Sequence, residues 1–149
     1  MKQGVHVRFA EKKDILKIYQ LGKSTSELSF SKKFPFHERG ELREFIGNKK
    51  ENIFLVAEHG EVIVGFIFAK IIAYGSGGWC MLDNLAVDKR FRNQGIGSLL
   101  LDETYKQTRK KGVNYVQVLV EESHRNTRKF WKSKGFKETK TFIWAERTI

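Results

Sequence analysis

A chain of 149 residues, 40% hydrophobic and 13% aromatic, has the size and core material of one ordinary domain rather than of a disordered segment. Its single cysteine, Cys80, excludes an intrachain disulfide, and its longest apolar stretch, Val62 to Ala69, falls far short of the ~18 residues of a membrane span. The formal charge of +11 favours anionic partners such as nucleic acid, acidic surfaces or a polyphosphorylated cofactor, set against the alternative of a lysine-rich solvated surface. Met1 to Lys13 is polar and charged, unlike the apolar stretch of a secretory leader, so a cytoplasmic location is expected.

Val5 to Phe9 alternates as a short strand, and Asp14 stands where it would cap a helix carrying Ile15, Ile18, Tyr19 and Leu21 at helical spacing. Gly22 to His37 is a polar segment that holds Phe30, Phe34, Phe36 and the only proline, Pro35. A second helix is predicted from about Glu38 to Ile46, with Leu42, Phe45 and Ile46 on its apolar face. Ile53 to Glu58 and Val62 to Ala73 read as strands joined by a hairpin at His59-Gly60, and a third runs from Trp79 to Val87. Helical spacing returns from about Gly95 to Lys111, closed by a cationic turn and Gly112. Tyr115 to Val120 is expected as a buried strand, Arg125 to Lys134 as a helix ending at Gly135, and Thr139 to Glu146 as a last strand. This order implies an α/β fold with a mainly antiparallel start and a parallel pair across the crossover from Val87 to Tyr115.

The most informative segment is the passage from strand to helix through Asp88-Lys89-Arg90-Phe91-Arg92-Asn93-Gln94-Gly95-Ile96-Gly97-Ser98. A loop feeding directly into a helix aims several unpaired N–H groups and the positive helix end at one point, where a pyrophosphate is stabilised. Gly95 and Gly97 admit phosphate oxygens close to the backbone, and Arg92 adds a charge-assisted contact. Two glycines at a helix start are also common turn residues. The dinucleotide fingerprint fails because position 100 is Leu, and the Walker loop fails because Gly97 precedes Ser98 and Leu99.

Arg92-x-x-Gly95-x-Gly97, following Leu85-Ala86-Val87, resembles the acetyl-CoA motif of GNAT N-acetyltransferases. Phe130-Trp131-Lys132-Ser133-Lys134-Gly135-Phe136 is similar to a second element of that family, an aromatic-tyrosine-x-x-x-glycine-phenylalanine pattern. The resemblance implies a single GNAT domain over residues 1–149, with a central mixed β-sheet flanked by helices. It also implies an acyltransferase that moves the acetyl group of acetyl-CoA to a primary amine of a small molecule, a protein N-terminus or a lysine.

Carried over residue by residue, the resemblance gives the backbone of Leu85, Ala86 and Val87 to the pantetheine arm. The amides from Asn93 through Gln94, Gly95, Ile96 and Gly97 to Ser98 hold the pyrophosphate, beside Arg92. His124 stands where the family has an asparagine near the pantetheine, with Asn126 two residues on. Phe130 and Trp131 line the acyl end, with Lys132 or Lys134 near the adenosine phosphate, although aromatics at the spacing of Phe130 and Phe136 also fill cores. The oxyanion donor is the backbone N–H of Leu85 or a neighbour. Strand alternation sets Met81, Asp83 and Leu85 on one face, making Asp83 the candidate base, with loop bonding as its alternative and Glu121 and Glu122 in reserve. Trp131 replaces the family's tyrosine, and an indole N–H gives up no proton, so the usual thiolate acid is missing.

For the acceptor, Phe30, Phe34 and Phe36 offer an apolar lip and Glu27 or Glu38 a charge for a cationic amine, against the alternative of phenylalanines packed on the sheet. His6, His37, His59 and His124 show no metal spacing, so no metal is expected. Two further readings stand beside the enzyme: a basic nucleic-acid-binding domain, which the dispersed charges disfavour, and a non-catalytic acetyl-CoA-binding module, which Trp131 motivates. A homodimer is compatible with all three.

Overall fold

The computed structural model describes residues 4–29, 31–75 and 77–149. By contact, the chain divides into two compact units, Met1–Leu119 and Val120–Ile149.

In the first unit, one sheet runs in the order β1 (Val5–Phe9), β2 (Asn52–His59), β3 (Val62–Tyr74), β4 (Gly77–Val87), β5 (Val116–Val118). The first three pairings are antiparallel and β4 with β5 is parallel, as the hairpin signals and the crossover require. The turn between β2 and β3 falls at Gly60, whose φ of 62° is a conformation that glycine adopts without strain. β5 is shorter than the expected Tyr115 to Val120, and its residues are half-exposed or exposed rather than buried.

Two layers of helix follow from the apolar stripes. α1 (Ile15–Lys23) and α2 (Arg39–Gly47) cover one face, where Ile18, Leu21, Leu42 and Ile46 join Phe54, Val56, Phe66, Phe68 and Ala86 in one cluster. α3 (Ile96–Lys110) covers the other, bringing Ile96 and Leu100 against Gly65 of β3. Cys80 of β4 is fully buried on that side, beside Thr108 of α3, and burial raises its thiol pKa.

Two details fix how α1 and α2 enter. The Asp14 side chain does not cap its own helix. Arg8 of β1 donates to both Asp14 oxygens at 2.8 and 3.0 Å, and the Glu11 amide donates at 2.8 Å. Ahead of α2, Glu38 and Glu41 form a reciprocal capping box, in which the Glu38 amide donates to Glu41 Oε2 at 2.8 Å. The segment between them packs Phe36 onto Gly22 of α1: a Cβ there would lie 2.6 Å from Phe36 Cδ1 and nearer still to Cε1 and Cζ. Phe36 is therefore core, 5% exposed, and not part of a lip.

The second unit is built on α4 (Arg125–Ser133), which stops before Gly135 at φ 87°. Trp131 meets Phe130 and Phe136 edge-on, each at 5.1 Å between ring centroids. Arg128 makes a bidentate pair with Glu138 at 2.7 and 2.9 Å. Residues 136–149 form no strand, so the expected strand from Thr139 to Glu146 is corrected. Its β-branched and aromatic residues suit a pleated surface, but a strand exists only by pairing, and Phe142, Ile143 and Trp144 stand exposed. Among the described residues, no helix is long and apolar enough to cross a membrane.

Candidate active site

The site begins with an irregularity in β4. Phe68 pairs with Asn84 but Ala69 pairs with Leu82, leaving Asp83 as the extra residue of a β-bulge. The bulge resets the alternation. Ala86 pairs with Phe66 and joins the α1/α2 cluster, so Asn84 and Ala86 face the helices α1 and α2, whereas Leu85, paired with Ile67, faces the opposite way. Met81 pairs with Lys70 on the α1/α2 side and Asp83 follows it by alternation. The expected grouping of Asp83 with Leu85 is thus corrected: Asp83 shares its face with Asn84, because the extra residue shifts the register by one.

Around the bulge, groups from separate elements converge. The Lys70 ammonium lies 3.9 Å from Asp83 Oδ2 and over the rings of Phe45 and Phe68, at 5.1 and 5.7 Å. His37, just before α2, is 15% exposed and edge-on to Phe36, Phe45 and Phe68 at 5.4, 5.0 and 6.3 Å. Its Nδ1 is 4.0 Å from Glu41 Oε2, and its Nε2 is buried, as is the side-chain oxygen of Asn84. Burial pushes the Asp83 carboxyl above the usual carboxylate range, while Lys70 and His37 draw it back. Burial also holds His37 below the ordinary imidazole value, against the opposing pull of Glu41, Asp83 and Asn84. The sequence singled out Asp83 alone. Lys70 and Asn84 carry no local signal, and His37 only a faint one, because the sheet register and the α2 packing bring them to it.

Beyond the bulge, β4 changes character. β5 pairs with it only from Cys80 to Leu82, so Asn84, Leu85, Ala86 and Val87 have β3 on one side and, among the described residues, no strand on the other. That open edge leads through a 3-10 turn at Lys89–Phe91 to the start of α3. Arg92 donates its Nε–H to Val87 O at 3.0 Å, Asn93 takes a positive φ of 61°, and Gly95 is the N-cap at φ 80°. A glycine N-cap brings no side chain to the first-turn amides of Ile96, Gly97 and Ser98, a geometry that suits an anion. Arg92 and Asn93 are exposed beside it.

The Acetyltransferase (GNAT) family model matches residues 16–136, which include the bulge, the open edge and the α3 start. The chain belongs to the GNAT acetyltransferase family. No curated protein matches it at a significant level of sequence similarity. Among solved structures it is similar to an aminoglycoside acetyltransferase from an uncultured soil metagenomic sample, at 20% identity over 100% of this chain and 99% of that one, TM-score 0.78. It is also similar to the PaiA N-acetyltransferase of Thermoplasma acidophilum in complex with coenzyme A, at 21% identity over 93% and 92%, TM-score 0.82. A third similar structure is AAC(6')-Iy with the bisubstrate analog CoA-S-monomethyl-acetylneamine, at 17% identity over 97% and 99%, TM-score 0.75. The GNAT fold and acyltransferase class are thereby set, and the mixed sheet with helices on both faces is the one the motifs implied.

The other residues named from this GNAT sequence fall in two places. In the second unit, His124 is half-buried with Nε2 3.4 Å from Glu121 Oε2, Asn126 is exposed, and Phe130 and Trp131 pack with Phe136. In the first, Glu27 and Phe34 are exposed, and Phe30 lies outside the described residues. A cleft of about 390 Å³ opens beside Lys70, walled by Glu44, Phe45, Glu51 and Asn52, and neither Glu27 nor Phe34 lines it. Among the described residues, no three His, Cys, Asp or Glu side chains converge to hold a metal ion.

Proposed function

We propose that the chain works as a single cytoplasmic N-acetyltransferase domain that moves the acetyl group of acetyl-CoA to a primary amine. The observation that carries this is the open edge of β4 running into an α3 start whose N-cap has no side chain. The residues fit the cosubstrate. The backbone of Leu85, Ala86 and Val87 offers a strand edge to the amide-bearing pantetheine arm, as in peptide addition to a sheet. The amides from Asn93 to Ser98 and the Arg92 guanidinium suit a pyrophosphate, and the net charge of +11 favours a polyanionic cosubstrate. In the second unit, His124, Asn126, Phe130 and Trp131 keep the cofactor-binding role that the resemblance to the family implies. A buried, solitary thiol agrees with a reducing compartment.

Acetyl-CoA, when bound, supplies an activated acyl thioester. The chain then has three tasks. A primary amine is an ammonium ion at neutral pH and must lose a proton before it attacks, and Asp83 in the bulge is the acceptor we assign. Charge growing on the carbonyl oxygen needs a fixed donor, for which the Leu85 amide on the open edge is suited. The departing thiol has a pKa of about 8.5, so it leaves without a dedicated acid at the position of Trp131. Glu27 and Phe34, both exposed, are the groups we assign to the acceptor.

Gly97→Glu tests the reading by adding bulk and negative charge at the first turn of α3. Coenzyme A affinity by calorimetry is expected to fall at least about tenfold, ~1.4 kcal/mol. Unchanged affinity in a folded variant would move the phosphates elsewhere. Turnover is read as free-thiol release from acetyl-CoA with a panel of n-butylamine, spermidine, amino acids, aminoglycosides and peptides with free N-termini or internal lysines.

A further inference from the structure

We propose that Asp83, His37 and Glu41 form a proton relay that carries the amine's proton from the β4 bulge to solvent, with His37 as its middle member. This rests on the acetyl-transfer reading and adds a role for two residues outside the cofactor set.

Stoichiometry creates the need. An ammonium and an acyl thioester become an amide, a thiol and one free proton. The new C–N bond replaces the C–S bond; of the two protons the nitrogen gives up, one goes to the leaving sulfur and one must leave the site. Asp83 takes that second proton from the ammonium onto a carboxylate oxygen. Passing it to a His37 ring nitrogen, and from there to Glu41 or water, returns Asp83 to its ionised state for the next cycle.

The geometry suits that path. Glu41, at the outer end of the path on the first turn of α2, has a side chain 53% exposed, against 15% for His37 and 27% for Asp83. His37 Nδ1 lies 4.0 Å from Glu41 Oε2, a gap that a small rotation of the exposed carboxylate closes. Three aromatic rings, one of them from α2 and one from β3, hold the imidazole edge-on. A histidine held only for packing needs no acidic neighbour, yet this one lies 4.0 Å from Glu41 of α2 and within the field of Asp83 of β4, with Lys70 of β3 as the opposing charge. Burial raises the carboxyl at Asp83 and lowers the imidazole at His37, so the two affinities approach one another from opposite sides. A narrower gap in affinity lowers the uphill cost of transfer between them. Lys70, 3.9 Å from Asp83, disfavours the proton's stay there and on His37 alike, which leaves Glu41 or water as its resting place.

The test combines titration with kinetics on the intact protein. Glu41→Gln keeps the oxygen that accepts from the Glu38 amide, so the α2 cap survives while the charge goes. Removing a carboxylate that raises His37 is expected to lower the imidazole's titration midpoint, read by NMR, and Asp83→Asn is expected to do the same. For Glu41→Gln the acidic limb of kcat/KM, measured with the panel amine turned over fastest, is expected to move to lower pH in step. His37→Gln is expected to lower kcat at least tenfold and abolish that limb, with coenzyme A affinity unchanged. An NMR midpoint that shifts while the rate limb stays, or a His37→Gln variant with the wild-type limb, overturns the relay and leaves acetyl transfer standing. Wild-type protein that binds coenzyme A but releases no thiol with any panel amine removes both.

Discussion

Gly22→Ala is a substitution whose sign is decided by two opposed terms. Gly22 lies in α1, and alanine in a helix interior is favoured over glycine by about 1 kcal/mol. Propensity alone therefore predicts a more stable protein. The new methyl, however, would come within 2.6 Å of Phe36 Cδ1 and closer still to two other ring carbons. That ring has little room to yield, being 5% exposed and backed by Phe66 at 6.0 Å and His37 at 5.4 Å between centroids. Overpacking of this kind costs about 1–3 kcal/mol, and expelling the ring altogether forfeits about 1.5–3 kcal/mol of burial. The clash wins, and a net loss of about 0.5–2 kcal/mol is expected. With a slope of about 2 kcal/mol/M, the urea midpoint should drop by about 0.3–1 M. A midpoint equal to or above wild type would refute the packing argument, since only the propensity term would then be acting.

Arg8→Met leaves the Asp14 carboxylate, 5% exposed, without its partner, and is expected to cost about 3 kcal/mol at pH 7 by chemical denaturation. Burial works to raise the Asp14 carboxyl, and Arg8 with the Glu11 amide overcomes it, holding the group below the usual range. A depressed carboxyl stabilises the fold above its unfolded pKa of about 3.9 and loses that contribution as the pH falls through the lower folded value. Wild type and Arg8→Met should therefore converge in stability at low pH, and a gap that persists there would contradict the ion-pair account. In the second unit, Trp131→Ala is expected to destabilise by about 3–5 kcal/mol or raise the acetyl-CoA KM, whereas Trp131→Phe keeps an aromatic face and should leave kcat nearly unchanged. A fall in kcat of more than about 100-fold for Trp131→Phe at full stability would instead give the indole N–H a part in the reaction.

Much of this was legible in the sequence because the signals were local. Gly60, Gly95, Gly112 and Gly135 all take positive φ at the boundaries where the chain reads as turning. The strand-loop-helix passage through Arg92 to Gly97 is written in consecutive residues. What stayed hidden depended on partners far along the chain. No residue type marks the bulge at Asp83, so alternation carried past it put Leu85 on the wrong face. Thr139 to Glu146 has the composition of a strand, and composition says nothing about whether a neighbour is there to pair with it. His37 stood out only as one of four histidines without metal spacing. The faint local clue was Glu41 four residues on, one helical turn away, at the entry to a predicted helix.

Cys80 has a use that follows from where it sits. It is the sole thiol, fully buried in β4 between β3 and β5, with Thr108 of α3 beside it and a raised pKa. Neither an alkylating reagent nor an oxidant meets a thiolate there while the sheet is closed. Each labelling event then counts one opening of β4, at the strand on which the proposed chemistry depends. The chain thus carries its own single-site clock for sheet opening, and slowing of that clock by coenzyme A would measure binding without an acceptor.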